Sequence, residues 1–148
     1  MRKFFLMITV AFSFMALNAQ ESEAWMVKMD AAKELARDSE KSILISFSGS
    51  DWCGNCMRLS KELFETEEFL AFAESELVLL NLDFPAKKAN KLSDELTAQN
   101  DKLAEIYNKQ GMFPLTLLVD ERGKLLGKVT YPCASVEEYL QSITALIQ

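Results

Sequence analysis

Residues Ile43 to Cys56 read ILISFSGSDWCGNC, and they constrain the fold more than any other stretch of the chain. Ile43 to Ser48 mixes β-branched, aliphatic and aromatic residues, the pattern of a buried strand. Gly49, Ser50 and Asp51 then make a turn. Beyond it, Met57, Leu59, Leu63 and Phe64 recur on one helical face, which predicts a helix over Cys53 to Phe64. Cys53 therefore falls where a strand hands over to a helix, at the positive end of the helix dipole. Unpaired amides there favour a thiolate over a thiol, and the thiolate is the reactive species. Cys56 follows one helical turn inward. Two cysteines at this spacing and in this setting read as a redox dithiol.

The first nineteen residues read as a secretory signal peptide. Arg2 and Lys3 form a positive head, and Phe4 to Leu17 is an apolar run of about fourteen residues, shorter than the roughly twenty that span a bilayer. Ala16-Leu17-Asn18-Ala19 offers a cleavage site before Gln20, with no cysteine at the cut to carry a lipid anchor. The remainder, 20–148, is expected to form one domain of ~129 residues with a full hydrophobic core. The expected location is periplasmic or secreted, with no membrane attachment after cleavage.

The chain carries 16 basic and 22 acidic residues and no histidine. Without Arg2 and Lys3 the charge is about −8. Such a surface repels phosphate backbones, so a nucleic-acid partner is not expected. The lack of histidine excludes His-based triads and removes the commonest metal ligand. An exported chain keeps its disulfides. Cys53 and Cys56 are too close in sequence to staple distant parts of a fold, so a bridge between them would be functional. Cys133 is left over.

The remaining patterns fill in a β-α-β-α-β-β-α order with an N-terminal extension. Trp25 to Met29 is a short strand or approach segment. Asp30 is the candidate N-cap of a helix ending near Ser39. Thr66 caps a helix over Glu67 to Glu74, and Leu77 to Asp83 is a second buried strand. Ala86 to Gln110 fits one or two amphipathic helices with Gly111 as C-cap, its lysines forming a solvated face. Leu115 to Asp120 and Leu125 to Thr130 are strands joined by a hairpin turn at Glu121-Arg122-Gly123-Lys124. Ser135 and Glu138 form a capping box for the last helix.

This order, with Trp52-Cys53-Gly54-Asn55-Cys56 after the first main strand and Phe113-Pro114 before the third, resembles the thioredoxin superfamily. The Phe64-Glu65-Thr66-Glu67-Glu68-Phe69 segment makes it most similar to the exported thiol–disulfide oxidoreductase branch. The resemblance runs from Asp30 to Ile147. It implies an α/β thioredoxin-like fold, with a central mixed sheet of four to five strands flanked by helices. It implies that Cys53 is the exposed attacking cysteine and Cys56 the resolving one. Gly54 and Asn55 would set the bend between them, and Trp52 would flank the site, which is compatible with ordinary packing. Phe113 and Pro114 would form a cis peptide exposing backbone for a strand-like substrate, although Pro114 alone also fits the start of a strand. The implied partners are protein thiol or disulfide substrates and an upstream redox partner, and no small-molecule cofactor is required.

The chain departs from the family pattern in three places. Ser46 stands at the usual buried aspartate of the first strand and Leu79 at its lysine partner, leaving Asp51 or a water as candidate helper for Cys56. Lys61 stands where the active-site helix usually has a kinking proline. The Gly49-Ser50-Asp51 approach is one residue longer. Tyr131-Pro132-Cys133-Ala134 falls in the loop that the family places beside the dithiol, so Cys133 is a candidate groove or third redox residue; the alternative is a small apolar filler. Two other functions stay open from sequence. Soft ligands Cys53, Cys56, Met57 and Met112 suit copper(I) delivery, whereas structural zinc would want four Cys or His ligands. The third reading is a redox-inert binding fold.

Overall fold

The computed structural model describes residues 25–148; the segment read as a signal peptide lies outside them. The elements run β1 (Trp25–Met26), α1 (Met29–Ser39), β2 (Ser42–Ser48), α2 (Gly54–Leu59) continued by a π-helical turn (Ser60–Phe64), and α3 (Glu67–Glu76). Then follow β3 (Leu77–Asp83), a 3-10 turn (Lys88–Asn90), α4 (Asp94–Tyr107), β4 (Leu115–Val119), β5 (Leu125–Val129) and α5 (Val136–Ile147). The five strands form one mixed sheet in the order β1-β3-β2-β4-β5. β3 pairs parallel to both β1 and β2, while β2–β4 and β4–β5 are antiparallel. This is the expected α/β thioredoxin-like architecture.

The alternation of side chains along the strands builds two separate cores. Ile43, Ile45 and Phe47 of β2, with Val78, Leu80 and Leu82 of β3, face α1 and α4. Leu44, Leu77, Leu79 and Leu118 face the other way, against α2, its π turn, α3 and α5. That second face changes character toward the C-terminal ends of β2 and β3. Leu44 and Leu79 give way to Ser46 and Ser48, and to Asn81 and Asp83. The polar end of this face is where the dithiol sits, at the carboxyl ends of parallel strands, the usual place for a site in an open α/β sheet.

Several local expectations change. α1 begins at Met29, not after an Asp30 cap. The Met29 amide donates to Oε1 of Gln99 from α4 at 2.9 Å, so a tertiary partner does the capping. Asp30 then sits in the first turn, where its charge suits the dipole. Only Asp94 to Tyr107 of the charged stretch is a long helix, started by Ser93, whose hydroxyl accepts from the Leu96 amide. Its C-cap is Asn108; Gly111, at φ +63°, comes three residues later. The Ser135 cap forms as expected, but the Glu138 carboxylate accepts from the Ala134 amide, so the box closes one residue early.

Tyr139 of α5 is 1% exposed, and its hydroxyl has no hydrogen-bond partner of good geometry, Thr116 being its polar neighbour. Burial pushes its phenol well above the ordinary range. A buried hydroxyl without a partner costs stability. Tyr139→Phe is therefore expected to leave thermal stability unchanged or raise it by up to about 1 kcal/mol. A loss exceeding that in chemical denaturation would mean that Thr116 satisfies the hydroxyl after all.

Candidate functional site

Cys53 and Cys56 form a disulfide with α-carbons 5.2 Å apart. Cys53 is the N-cap of α2 in an extended conformation, and its Sγ accepts from the Cys56 amide at 3.2 Å. The expected helix over Cys53 to Phe64 thus starts one residue later, with the sulfur itself as the capping group. The expected contrast of an exposed Cys53 and a buried Cys56 is absent in this disulfide form, because each is 6% exposed. Gly54 and Asn55, between them, are both exposed.

The second half of the expected helix is a π turn, closed by the Glu65 amide donating to the Ser60 carbonyl at 2.9 Å. Lys61 lies inside it. Where the family bends this helix with proline, this chain widens one turn, which also redirects a helix. Beside the turn lies a cleft of about 370 Å3. Cys56 and Pro114 border it, Ser46 and Asn81 come from the sheet, and Ser60 and Glu65 from the helix end. Ser46 is 4% exposed and pairs in register with Asn81, not with Leu79, which lies opposite Leu44.

The Phe113–Pro114 peptide is cis, and so is Tyr131–Pro132, which nothing in the sequence signalled. Asn108 holds the loop leading to Pro114: its side chain accepts from the Met112 amide and donates to the Met112 carbonyl, both at 2.8 Å. Phe113 meets Trp52 edge-on at 5.2 Å and Phe84 at 5.4 Å, and Phe84 stacks on Phe47 at 6.2 Å. The Trp52 indole nitrogen donates to the Phe84 carbonyl at 2.7 Å while the ring stays 48% exposed. Its indole lies so close over Gly49 that a Cβ there would clash with the ring. Trp52 is thus fixed from three sides and still presents apolar surface. Met57 and Met112 are also exposed.

Two carboxylates fasten the approach loop. Asp83 accepts from the Ser50 amide at 2.8 Å and the Ser50 hydroxyl at 2.6 Å. Asp51 accepts from the amides of Ala86 and Lys87 and from Asn90 Nδ2, at 2.8 to 2.9 Å. Asp51 is therefore a loop clamp and not a free acid–base helper for Cys56. Those donors hold its carboxyl below the ordinary 3.8, the Ala86 amide contributing most. A depressed folded value means stability that is fully present well above 3.8 and fades as pH falls through the lowered value. Asp51→Asn is accordingly expected to melt lower than the unaltered protein at pH 7, with the gap shrinking at pH 3. A gap independent of pH would rule out the ionised clamp.

Cys133 is a free thiol, half-buried, packed at the edge of the core formed by α2, α3 and α5. Its Sγ lies 3.4 Å from the Ser135 carbonyl. Burial, then Glu138, pushes its thiol up. It does not line the cleft that holds Cys56 and Pro114. Its loop is tied instead to the π turn, where Tyr131 donates to Glu62 at 2.9 Å. The structure thus brings Cys53, Cys56, Trp52, Phe113 and Pro114 into one neighbourhood and sets Cys133 among other partners. Among the described residues there is no cluster of three or more His, Cys, Asp or Glu side chains placed to hold a metal.

Sequence reasoning missed Asp83, Asn108, Phe84 and Glu65. Asp83 ends a strand and Asn108 precedes a glycine by three residues, signals too common to single either out.

Known proteins share this arrangement. The family model described as thioredoxin-like matches residues 24–121. A disulfide bond reductase of Chlamydia pneumoniae, DsbH, is 28% identical over 117 residues, covering 79% of this chain and 69% of that protein. The thioredoxin-related protein DsbJ of the same organism is 31% identical over 64 residues, which is 43% of this chain and 18% of that one. A solved DsbH oxidoreductase superposes with a TM-score of 0.72 at 28% identity, covering 78% of each chain.

Proposed function

The chain belongs to the thioredoxin-like family, and from that premise we propose that it is an exported enzyme that reduces disulfides in protein substrates. It is a thiol–disulfide oxidoreductase. The observation that carries the reading is the Cys53–Cys56 disulfide at the start of α2, with Cys56 sharing a cleft with Pro114.

The chemistry follows from the geometry. In the reduced form the Cys56 amide that now reaches Cys53 Sγ would donate to the Cys53 thiolate, stabilising it together with the start of the helix. That thiolate attacks a substrate disulfide. One substrate sulfur leaves as a thiolate, and the other stays bonded to Cys53. Cys56 then attacks Cys53, re-forms the internal disulfide and releases the second substrate thiol. Two electrons pass to the substrate, and no small-molecule cofactor is required. An upstream thiol partner restores the dithiol.

Trp52, Met57 and Met112 supply exposed apolar surface around the site. The backbone before Pro114 offers pairing to an extended segment. Gly54 and Asn55, exposed between the cysteines, leave room for a protein substrate to approach. The reducing direction is supported by the relative named a disulfide bond reductase, and export by the N-terminal sequence of 1–19.

Reduction of insulin by the purified domain, 20–148, with a dithiol as electron source tests the activity. Cell fractionation of the full chain tests export. Turbidity no faster than with the dithiol alone would sink the enzymatic reading.

A further inference from the structure

The exchange proposed above, on which this inference rests, leaves one proton without a destination. Cys56 must lose its proton before it attacks Cys53. The sheet residues that line the cleft carry no charge: Ser46 and Asn81 face each other there, with Ser48 beside them. Asp51 is committed to Ala86, Lys87 and Asn90.

The cleft beside Cys56 does supply an acceptor. Among the described residues that line it, Glu65 is the one ionisable side chain besides Cys56. Glu65 arrives there through the π turn, whose closing bond runs from its amide to the Ser60 carbonyl. Its carboxylate accepts from the Ser60 hydroxyl at 2.9 Å, and Ser60 lines the same cleft. The floor is polar, with Ser48 donating to Asn81 Oδ1 at 2.9 Å. At about 370 Å3, the cleft has room for several water molecules beside these polar side chains, although Trp25, Met57, Leu59, Phe64 and Pro114 also line it.

The charged groups around Glu65 are accounted for. Arg58, Lys61 and Glu62 share its helix, and Glu67 and Glu68 open α3; none of them lines the cleft. Glu62 accepts from Tyr131. Asp83 does not line the cleft and reaches its rim through Ser50 and Ser48, whose hydroxyls donate to it at 2.6 and 3.4 Å. Trp25 of β1 and Ser46 of β2 face the cleft uncharged. Tyr139 of α5, against Phe64, is held neutral by burial. Among the described residues no ion pair engages Glu65.

We propose that Glu65 accepts the proton of the Cys56 thiol through water in this cleft. In the resolving step that proton passes to the Glu65 carboxylate. The Cys56 thiolate bonds to Cys53 Sγ, and the Cys53–substrate bond breaks. Its electron pair leaves on the substrate sulfur, which takes a proton from solvent. Glu65 then returns its proton to water. Glu65 is a positioning residue for Cys56, acting without touching sulfur.

The test separates the two cysteines. Reduced protein carrying Cys133→Ser, so that the dithiol is its one source of thiols, is mixed with 5,5′-dithiobis(2-nitrobenzoate), and coloured thiol release is followed from pH 5.5 to 9.5. The first phase reports Cys53 attack, and the second reports Cys56 resolving the mixed disulfide. Glu65→Gln keeps an acceptor for Ser60. It is expected to slow the second phase by roughly tenfold to a hundredfold near pH 6.5, with the gap closing toward pH 9.5, where the thiol ionises unaided. The first phase should be unchanged, which also certifies a folded site, and Glu65→Asp should recover part of the rate. A second phase that is unaltered, or slowed equally at every pH, overturns the role of Glu65 and leaves the oxidoreductase intact. A Cys133→Ser protein that keeps Glu65 and releases no second equivalent overturns the dithiol reading and this proposal together.

Discussion

Cys53→Ser is expected to reduce insulin no faster than the dithiol alone, whereas Cys56→Ser is expected to stop one step later, with substrate bonded to Cys53. The difference follows from where each sulfur sits. Cys53 is the N-cap, with an amide already aimed at its sulfur at 3.2 Å. A serine there keeps the capping bond, because Ser is among the best N-cap residues. Cys53→Ser should therefore fold normally while losing the nucleophile. Cys56→Ser keeps the Cys53 thiolate and its amide but has no thiol to release the adduct. Non-reducing electrophoresis after mixing with a substrate should show a covalent complex for Cys56→Ser and none for Cys53→Ser. The reverse pattern would exchange the two roles. A complex formed by Cys53→Ser, Cys56→Ser through Cys133 would bring the third cysteine into the chemistry.

How much of this was legible in the sequence depends on how local each signal is. β3 reads directly as Leu77 to Asp83, because a run that is apolar but for Asn81 and its terminal Asp83, set between a helix end and a proline, reads as a buried strand. Thr66 and Ser135 read correctly as caps, because their partners are three residues away. The cap of α1 did not, because Gln99 supplies it from 70 positions along the chain. The opposition of Ser46 and Asn81 depends on strand register, which an apolar run buried on both faces does not reveal. The π turn carries no sequence mark beyond the missing proline at Lys61. The dithiol was legible, since its signal lies within four residues. The groups that hold it in place were not. Asp51 contacts the stretch from Ala86 to Asn90, and Phe84 contacts Trp52 and Phe113, so these partnerships exist only after folding.

Phe47→Ala is expected to remove about 3 to 5 kcal/mol of folding stability, a large share of the roughly 5 to 15 kcal/mol typical of a domain. Phe47 is 0% exposed on β2, in the core that α1 and α4 cover. Its truncation leaves a ring-sized cavity among Ile45, Leu82 and Leu115, residues on three adjacent strands that are themselves fixed by pairing. The loss should reach the site as well. Phe47 stacks on Phe84, Phe84 meets Phe113 edge-on, and Phe113 meets Trp52 edge-on, so one chain of rings runs from the core to the rim of the dithiol. The Phe84 carbonyl also holds the Trp52 indole. Phe47→Leu separates the two effects, because it fills most of the volume while deleting the first ring of that chain. It is expected to cost less stability than the alanine but still to slow insulin reduction severalfold at a temperature where it is fully folded. Urea denaturation gives the first quantity, and turbidity rates below the transition give the second. If Phe47→Leu reduces insulin at the unaltered rate, the ring chain is packing alone, and Trp52 is positioned by its hydrogen bond and by Gly49.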